Sequence, residues 1–207
     1  MLALVAVLIQ SGCSVFGVSS TEEASYIVLD EQDDFELREY AGLVMVETTV
    51  KAEFDKAGKE AFGRLFAYIS GENRAAQKIA MTAPVLVDEE NSTTGESIDM
   101  TAPVIADEAT DGWRYAFVLP KSYTMANAPM PTNPKVRLIE VHPKLVAVLR
   151  YTGVLNEGNF RENSSRLLNW ISEKQLESLS SPRVAGYDPP WTLPFLRRNE
   201  VMIDVSP

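Results

Sequence analysis

The 207 residues hold one cysteine and one histidine. Cys13 has no partner for an internal disulfide, and no thiol cluster exists to ligate zinc or iron–sulfur. A Cys–His pair, a His-rich metal site or a Ser–His dyad would have to use His142 alone. Basic residues are also short: 19 Lys and Arg stand against 29 Asp and Glu, a formal net charge of −10. No basic stripe interrupts that balance, so a nucleic-acid backbone is repelled. Nor does any apolar run reach the roughly 20 residues that cross a bilayer as a helix. Hydrophobic residues are not scarce. They make up 45% against 23% charged, ordinary values for a domain with a real core. The length suits one large domain, or one built from two similar halves. The acidic stretches from Asp30 to Glu39 and from Asp88 to Asp99 read as solvated loops.

Residues 1–9 are continuously apolar, a length that suits the h-region of a signal peptide. Ser11 and Gly12 then lead into Cys13, an order that resembles the lipobox of bacterial lipoproteins, in which the cysteine carries the lipid. Gln10 departs from the usual Leu-like residue, and no Lys or Arg precedes the run, which fits a start further upstream. Ser14, not Asp, follows the cysteine; by the same resemblance the mature protein faces the periplasm from the outer membrane rather than the inner one. Residues 14–25, small and polar, read as a tether. A single domain is expected from 26 to 207.

The chain is written twice. Phe35–Tyr40, Ala41-Gly42 and a β-branched run from Leu43 return about a hundred residues later as Val136–Val141, His142-Pro143-Lys144 and a run from Leu145. Each copy reads as a hairpin. Glu39 matches Glu140, and Leu43-Val44-x-Val46 matches Leu145-Val146-x-Val148 after one extra turn residue. A helix follows each copy. In the first, Phe54, Ala57, Ala61, Phe62, Leu65, Phe66 and Ile69 form an apolar stripe of helical period, and Gly71 marks its stop. Gly58 and Gly63 sit inside it at a cost of up to about 1 kcal/mol each. In the second, Asn159-x-x-Glu162 reads as the cap, with Phe160, Leu167, Leu168, Ile171 and Leu176 on the apolar face. Further strands are predicted over 78–87, 98–106, 113–119 and 199–205, with the proline-rich 127–134 joining the halves. The fold class is therefore α+β: a pseudo-two-fold repeat of ββα-type units forming a distorted β-barrel flanked by two helices.

Three segments carry a family resemblance. They are Lys78–Val85 with its Met81-Thr82-Ala83-Pro84-Val85; Met100-Thr101-Ala102-Pro103-Val104 followed by Gly112–Pro120; and Ala185–Thr192 followed by Arg197–Val201. In order and spacing they resemble the SOUL/haem-binding protein family from about residue 26 to 205. Read physically, the same motifs are architecture first. Proline belongs at an edge or bulge, Met and Val alternate inwards, Tyr187 and Trp191 anchor a stiff corner, and Arg198-Asn199-Glu200 bonds across strands.

The resemblance implies non-enzymatic binding of haem or a related tetrapyrrole in an apolar cleft beside the first helix. On this sequence it points to Lys59 as a propionate partner, Phe62 and Phe66 as apolar contacts, and Arg64 as a further cation. Ala67 and Thr192 stand where some relatives carry basic residues. His142 falls in a predicted turn, and Met81 and Met100 alternate like core positions, so no metal ligand is assigned; Tyr40 and Tyr187 are likewise left without a role at the iron. Two other readings stay open at this point: a small hydrolase using a cleft glutamate with a raised pKa, and a binding module for another amphipathic molecule.

Overall fold

The computed structural model describes residues 21–75 and 95–207; the Cys13 lipobox, the Lys78–Val85 motif and the strand expected over 78–87 lie outside them. The chain runs β1 (Tyr26–Gln32), β2 (Phe35–Tyr40), β3 (Leu43–Val50), α1 (Phe54–Ile69), β4 (Asn73–Arg74), β5 (Val104–Ala109) and β6 (Gly112–Val118). It continues with β7 (Met130–Pro131), β8 (Val136–Val141), β9 (Lys144–Tyr151), α2 (Glu157–Glu173), β10 (Glu177–Ser178), β11 (Arg183–Gly186) and β12 (Asn199–Ser206).

Helix α1 matches its predicted stripe, with Phe54, Ala57, Ala61, Leu65 and Ile69 buried and Phe62 and Phe66 left outside. Gly71, at φ +112°, takes the left-handed step that ends it. Helix α2 begins earlier than expected. Its cap is Asn156, whose Oδ1 accepts from Asn159 N at 2.8 Å, so Asn159 lies inside the first turn. Leu168 is exposed, and Trp170 takes its place on the buried face. The acidic stretch after Asp30 is no loop: it belongs to the β1–β2 hairpin, in which β1 is an exposed edge strand while β2 is paired on both sides and buries Glu36. Charge on an edge strand guards it against pairing with other chains, which is why acidity there resembled solvated coil. The strand expected from Ile98 starts only at Val104, after a cis Ala102–Pro103 peptide.

The described strands, β4 and β7 apart, form one antiparallel sheet in the order β1-β2-β9-β12-β11-β5-β6-β3-β8, with β10 on β12. Exchanging β2 with β8, β9 with β3, β12 with β6 and β11 with β5 leaves the order of those eight unchanged when read backwards. This is the pseudo-two-fold axis. It also overturns the two expected hairpins: β2 pairs with β9, and β3 with β8. Each half lends its first strand to the other. Tyr40 and Leu43 are separated by only Ala41 and Gly42, so those positions lie within about 11 Å even though their strands are near opposite ends of the sheet. The sheet must curl strongly to bring its ends together.

The register of the repeat also differs from the expectation by one residue. Phe35 pairs with Leu149 and Thr48 with Val136, and both Phe35 to Val136 and Thr48 to Leu149 are steps of 101. Both corners therefore hold two residues, Ala41-Gly42 and His142-Pro143, and Lys144 is the first residue of β9 rather than part of a turn. Side chains alternate with period two, so a one-residue slip exchanges the faces. Val44 and Val46 point to the helix side; Val146 and Val148, their expected matches, point the other way. The true equivalents, Leu145 and Ala147, join the helix-side core with Phe117, Leu167, Trp170 and Ile203.

Candidate functional site

On the outer face of α1, residues 59, 62, 63 and 66 share one stripe by helical spacing. Phe62 and Phe66 are 42% and 49% exposed, large aromatic faces in water. Their rings lie nearly parallel, 11° apart with centroids at 5.9 Å, and Phe62 sets its ring against the edge of buried Phe117 at 5.4 Å. The pair thus has a rigid backing. A Cβ on Gly63 would meet nothing within 4 Å, so the backbone itself is open to approach there. Lys59 is exposed and makes no hydrogen bond or ion pair among the described residues. Arg64 lies on the other flank of the helix. It donates to Thr48 Oγ1 at 3.2 Å and to the Thr49 carbonyl at 3.1 Å, and pairs with Glu60. The structure therefore gathers Lys59, Phe62 and Phe66 and holds Arg64 apart from them.

The other residues singled out from the sequence fall elsewhere. His142 is exposed in the β8–β9 corner, Met100 is 39% exposed rather than core, and Thr192 is buried while Ala67 is half-buried. Of the two expected anchors at the corner, Tyr187 is buried but Trp191 is 67% exposed.

Tyr40 and Tyr187 belong to an ionic network on the sheet face turned away from the helices. Arg38, fully buried, donates through Nε to Glu36 at 2.7 Å and through both terminal nitrogens to Glu200 at 2.9 and 3.0 Å. Arg198 donates to Glu200 at 2.8 Å, and the Tyr187 hydroxyl donates to it at 2.7 Å. Arg150 holds Glu36 from the surface at 2.9 Å. The Arg38 and Arg198 guanidinium groups lie over the rings of Tyr26 and Tyr187 at 4.2 and 3.8 Å. Burial pushes the Glu200 carboxyl up, but the hydrogen bonds and charge of Arg38, with Arg198 and Tyr187, outweigh it and hold it below the ordinary glutamate value. Glu36 behaves alike, its burial outweighed by Arg38 and Arg150. Burial, then the Glu200 charge, raises the Tyr187 hydroxyl well above its usual range. Both glutamates are thus ionised at neutral pH and saturated with donors. The expected cross-strand role of Arg198 and Glu200 is what the geometry displays.

A cavity of about 370 Å³ opens on this same face, and none of its lining comes from α1. Its floor includes Met45, Ala116, Ile139, Val146 and Met202, with Lys144, Arg183 and Asp204 on one wall. Reasoning from the sequence missed it. The one-residue slip in the repeat had placed Val146 with Val44, on the wrong face, and Lys144 in a turn.

A curled, pseudo-symmetric antiparallel sheet backed by two helices, with an exposed aromatic ledge and a separate cavity, defines the class: a small α+β domain with a ligand-sized cavity and, among the described residues, no cluster of metal-ligating side chains. A family model described as SOUL heme-binding protein matches residues 21–204, and the chain belongs to that family. It is 27% identical over 194 residues to proteins named Heme-binding protein 1 from Xenopus tropicalis and Xenopus laevis, covering 91% of this chain and 93% of each relative. In fold it is similar to the EcmrR C-terminal domain, with a TM-score of 0.57 at 10% identity over 83% of this chain and 96% of that one. An uncharacterized conserved protein from Listeria innocua gives a TM-score of 0.51 at 10% identity, covering 84% and 92%.

Proposed function

We propose that this chain binds haem or a related tetrapyrrole without catalysing a reaction, on the outer face of α1, while held at the bacterial envelope by a lipid on Cys13. The observation that carries it is the stacked, solvent-facing Phe62–Phe66 pair with exposed Lys59 one turn away, in a chain of the SOUL family. A porphyrin is a wide apolar plane with carboxylates at its rim. It needs a flat apolar surface beside a cation, since unpaired carboxylates are costly to desolvate. Lys59 supplies that cation and Gly63 lets the plane approach the backbone; Arg64, committed to Thr48, Thr49 and Glu60, would contribute only after leaving them. No iron ligand is assigned.

Titrating the full chain with haemin tests this reading. A saturable Soret shift at micromolar haemin is expected, weakened at least tenfold in Phe62→Ala/Phe66→Ala and less in Lys59→Ala. An unchanged Soret band in the wild type refutes it. For the anchor, Cys13→Ser should move the protein from the detergent to the aqueous phase on partitioning; partitioning that ignores the substitution removes the lipid from the proposal. Outer-membrane placement is tested by density fractionation of envelopes.

The hydrolase reading required a glutamate with a raised pKa in a cleft. The buried glutamates of the network are instead held ionised by arginines, which leaves them poor proton donors.

A further inference from the structure

We propose that the loop between β11 and β12, residues 189–197, is a membrane-contact element that sets Trp191, Leu193, Phe195 and Leu196 into the interfacial layer of a lipid bilayer. The reading takes from the proposed function only the lipid on Cys13, which brings a bilayer within reach. Trp191 and Phe195 are 67% and 68% exposed, more than either ring of the α1 ledge, and Leu193 and Leu196 are exposed in the same loop. Val154 joins the patch, exposed next to the point where the Gly153 N–H donates to the Pro194 carbonyl at 2.9 Å. Single exposed apolar side chains are ordinary on a protein surface, but a contiguous group of large ones marks a surface that meets another apolar phase.

What separates this loop from an ordinary exposed turn is how little polar surface it presents. Pro189, Pro190 and Pro194 carry no N–H, and the N–H groups of Thr192, Leu196 and Arg197 donate within the loop, to the carbonyls of Pro189, Leu193 and Pro194. Its one charge, Arg197, folds back on its own loop, donating through Nε to the Thr192 carbonyl at 2.7 Å and through a terminal nitrogen to the Pro190 carbonyl. At the edge of the hydrocarbon layer a free polar backbone group has little water to satisfy it, so a loop that bonds to itself enters at the least cost. No Asp or Glu falls between Asp188 and Glu200, in a chain of net charge −10. Carboxylates, costly to desolvate, are thus kept out of the segment that would meet lipid. A tryptophan ring at headgroup level is favoured at a membrane interface. The loop also stands where the chain enters the domain: at its base Asp188 accepts from Arg198 N at 2.7 Å, and the Arg198 side chain reaches Glu23 at 3.0 Å. The ten steps from Cys13 to Glu23 span at most about 36 Å. A lipid on Cys13 therefore keeps the base of the loop within that distance of the bilayer.

The test uses the full chain, free of haem, on phosphatidylcholine vesicles brominated in the upper acyl chain, which quench tryptophan on contact. Trp113 and Trp170 are buried, so Trp191 is the tryptophan placed to respond, and Trp191→Phe supplies the emission of the other two. Vesicle-bound wild type is expected to shift its emission to shorter wavelength and to be quenched; Trp191→Phe is expected to do neither. Leu193→Ser/Phe195→Ser, two changes at exposed positions, should remove most of the quenching while circular dichroism and the melting temperature stay those of the wild type. The apolar residues 1–9 are common to every variant, so binding through them leaves these differences intact. Cys13→Ser should need more lipid to reach the same quenching. If it needs no more, the anchor is refuted and the loop stands, since the loop is read from Trp191 itself. The proposal is overturned by a vesicle-bound chain whose Trp191 emission is unchanged, by equal quenching in Trp191→Phe, or by quenching that survives Leu193→Ser/Phe195→Ser. It is also overturned if Trp191 becomes shielded from iodide as chain concentration rises without lipid, which assigns the patch to a second copy.

Discussion

Replacing Glu200 by Gln removes one negative charge from the middle of the buried network and keeps the shape of the side chain. In the wild type both carboxylate oxygens are used: Oε2 accepts from Arg38 and Tyr187, and Oε1 from Arg38 and Arg198. The amide of Gln keeps one acceptor and turns two donors toward guanidinium groups that are themselves only donors. Arg38 is fully buried and keeps Glu36 as its only carboxylate. Breaking a buried ion pair by removing one partner costs about 3–5 kcal/mol. Because Glu36 remains on Arg38 and Arg198 still reaches Glu23 at 3.0 Å, the lower end, about 3 kcal/mol, is expected. With a urea m-value of about 2 kcal/mol/M the midpoint falls by about 1.5 M, measured by tryptophan fluorescence and far-UV circular dichroism. The pH dependence supplies a second readout. Glu200 and Glu36 have folded-state pKa values below their unfolded ones, so their stabilisation is complete above the unfolded value of about 4.3 and is lost as pH falls through the folded values. Wild-type stability should therefore drop steeply below about pH 4 and that of Glu200→Gln less steeply. Glu39→Gln, exposed on the same strand as Arg38, should stay within about 0.5 kcal/mol of wild type. A Glu200→Gln loss under about 1 kcal/mol, or an acid profile parallel to wild type, would refute the reasoning.

Three other perturbations test the remaining elements. Burial pushes the hydroxyls of Tyr40 and Tyr151 up to about 12, so the stability they confer is present below the unfolded value of about 10 and is lost as pH rises through the folded values; the urea midpoint should be lower at pH 11 than at pH 9, and an equal or higher midpoint contradicts this. Asn156→Ala deletes the side-chain cap of α2 and should cost about 1 kcal/mol in thermal denaturation, whereas Asn159→Ala, at the residue the sequence had suggested, should not show a capping loss of its own. Gly63→Ala, with open space around the new methyl, should raise stability by up to about 1 kcal/mol while weakening haemin binding. Gly58→Ala should not share that gain, because its Cβ would stand 3.1 Å from the Tyr115 hydroxyl, which bonds the Phe54 carbonyl.

Which features were readable in advance follows from the range of the forces behind them. Helix α1 was legible to its ends, because a 3.6-residue apolar period and a glycine stop are local signals. The doubling of the chain was legible for the same reason: Phe35–Tyr40 and Val136–Val141 carry the same alternation, one step of 101 apart. The motifs that mark the SOUL family are likewise strings of neighbours. Lys59, Phe62 and Phe66 share a face by helical spacing alone, whereas Arg64, besides its neighbour Glu60 on the same helix, is drawn away by Thr48 and Thr49 on β3.

Strand partnership was not legible. A two-residue corner looks like a hairpin turn in sequence, and only closure of the curled sheet decides that β2 and β8 cross to the opposite halves. The face of each residue of β9 was lost with one misplaced turn residue, since a period of two carries no memory of which side is inward. The buried network joins Arg38 to Glu200, 162 positions apart, and Lys144 meets Arg183 at Asp204 only because β9, β12 and β11 lie side by side. Sequence by itself determined the two amphipathic helices, the repeat and the family. The tertiary structure decided which charges share a low-dielectric interior and which apolar faces enclose a cavity, because those depend on distances that strand pairing sets.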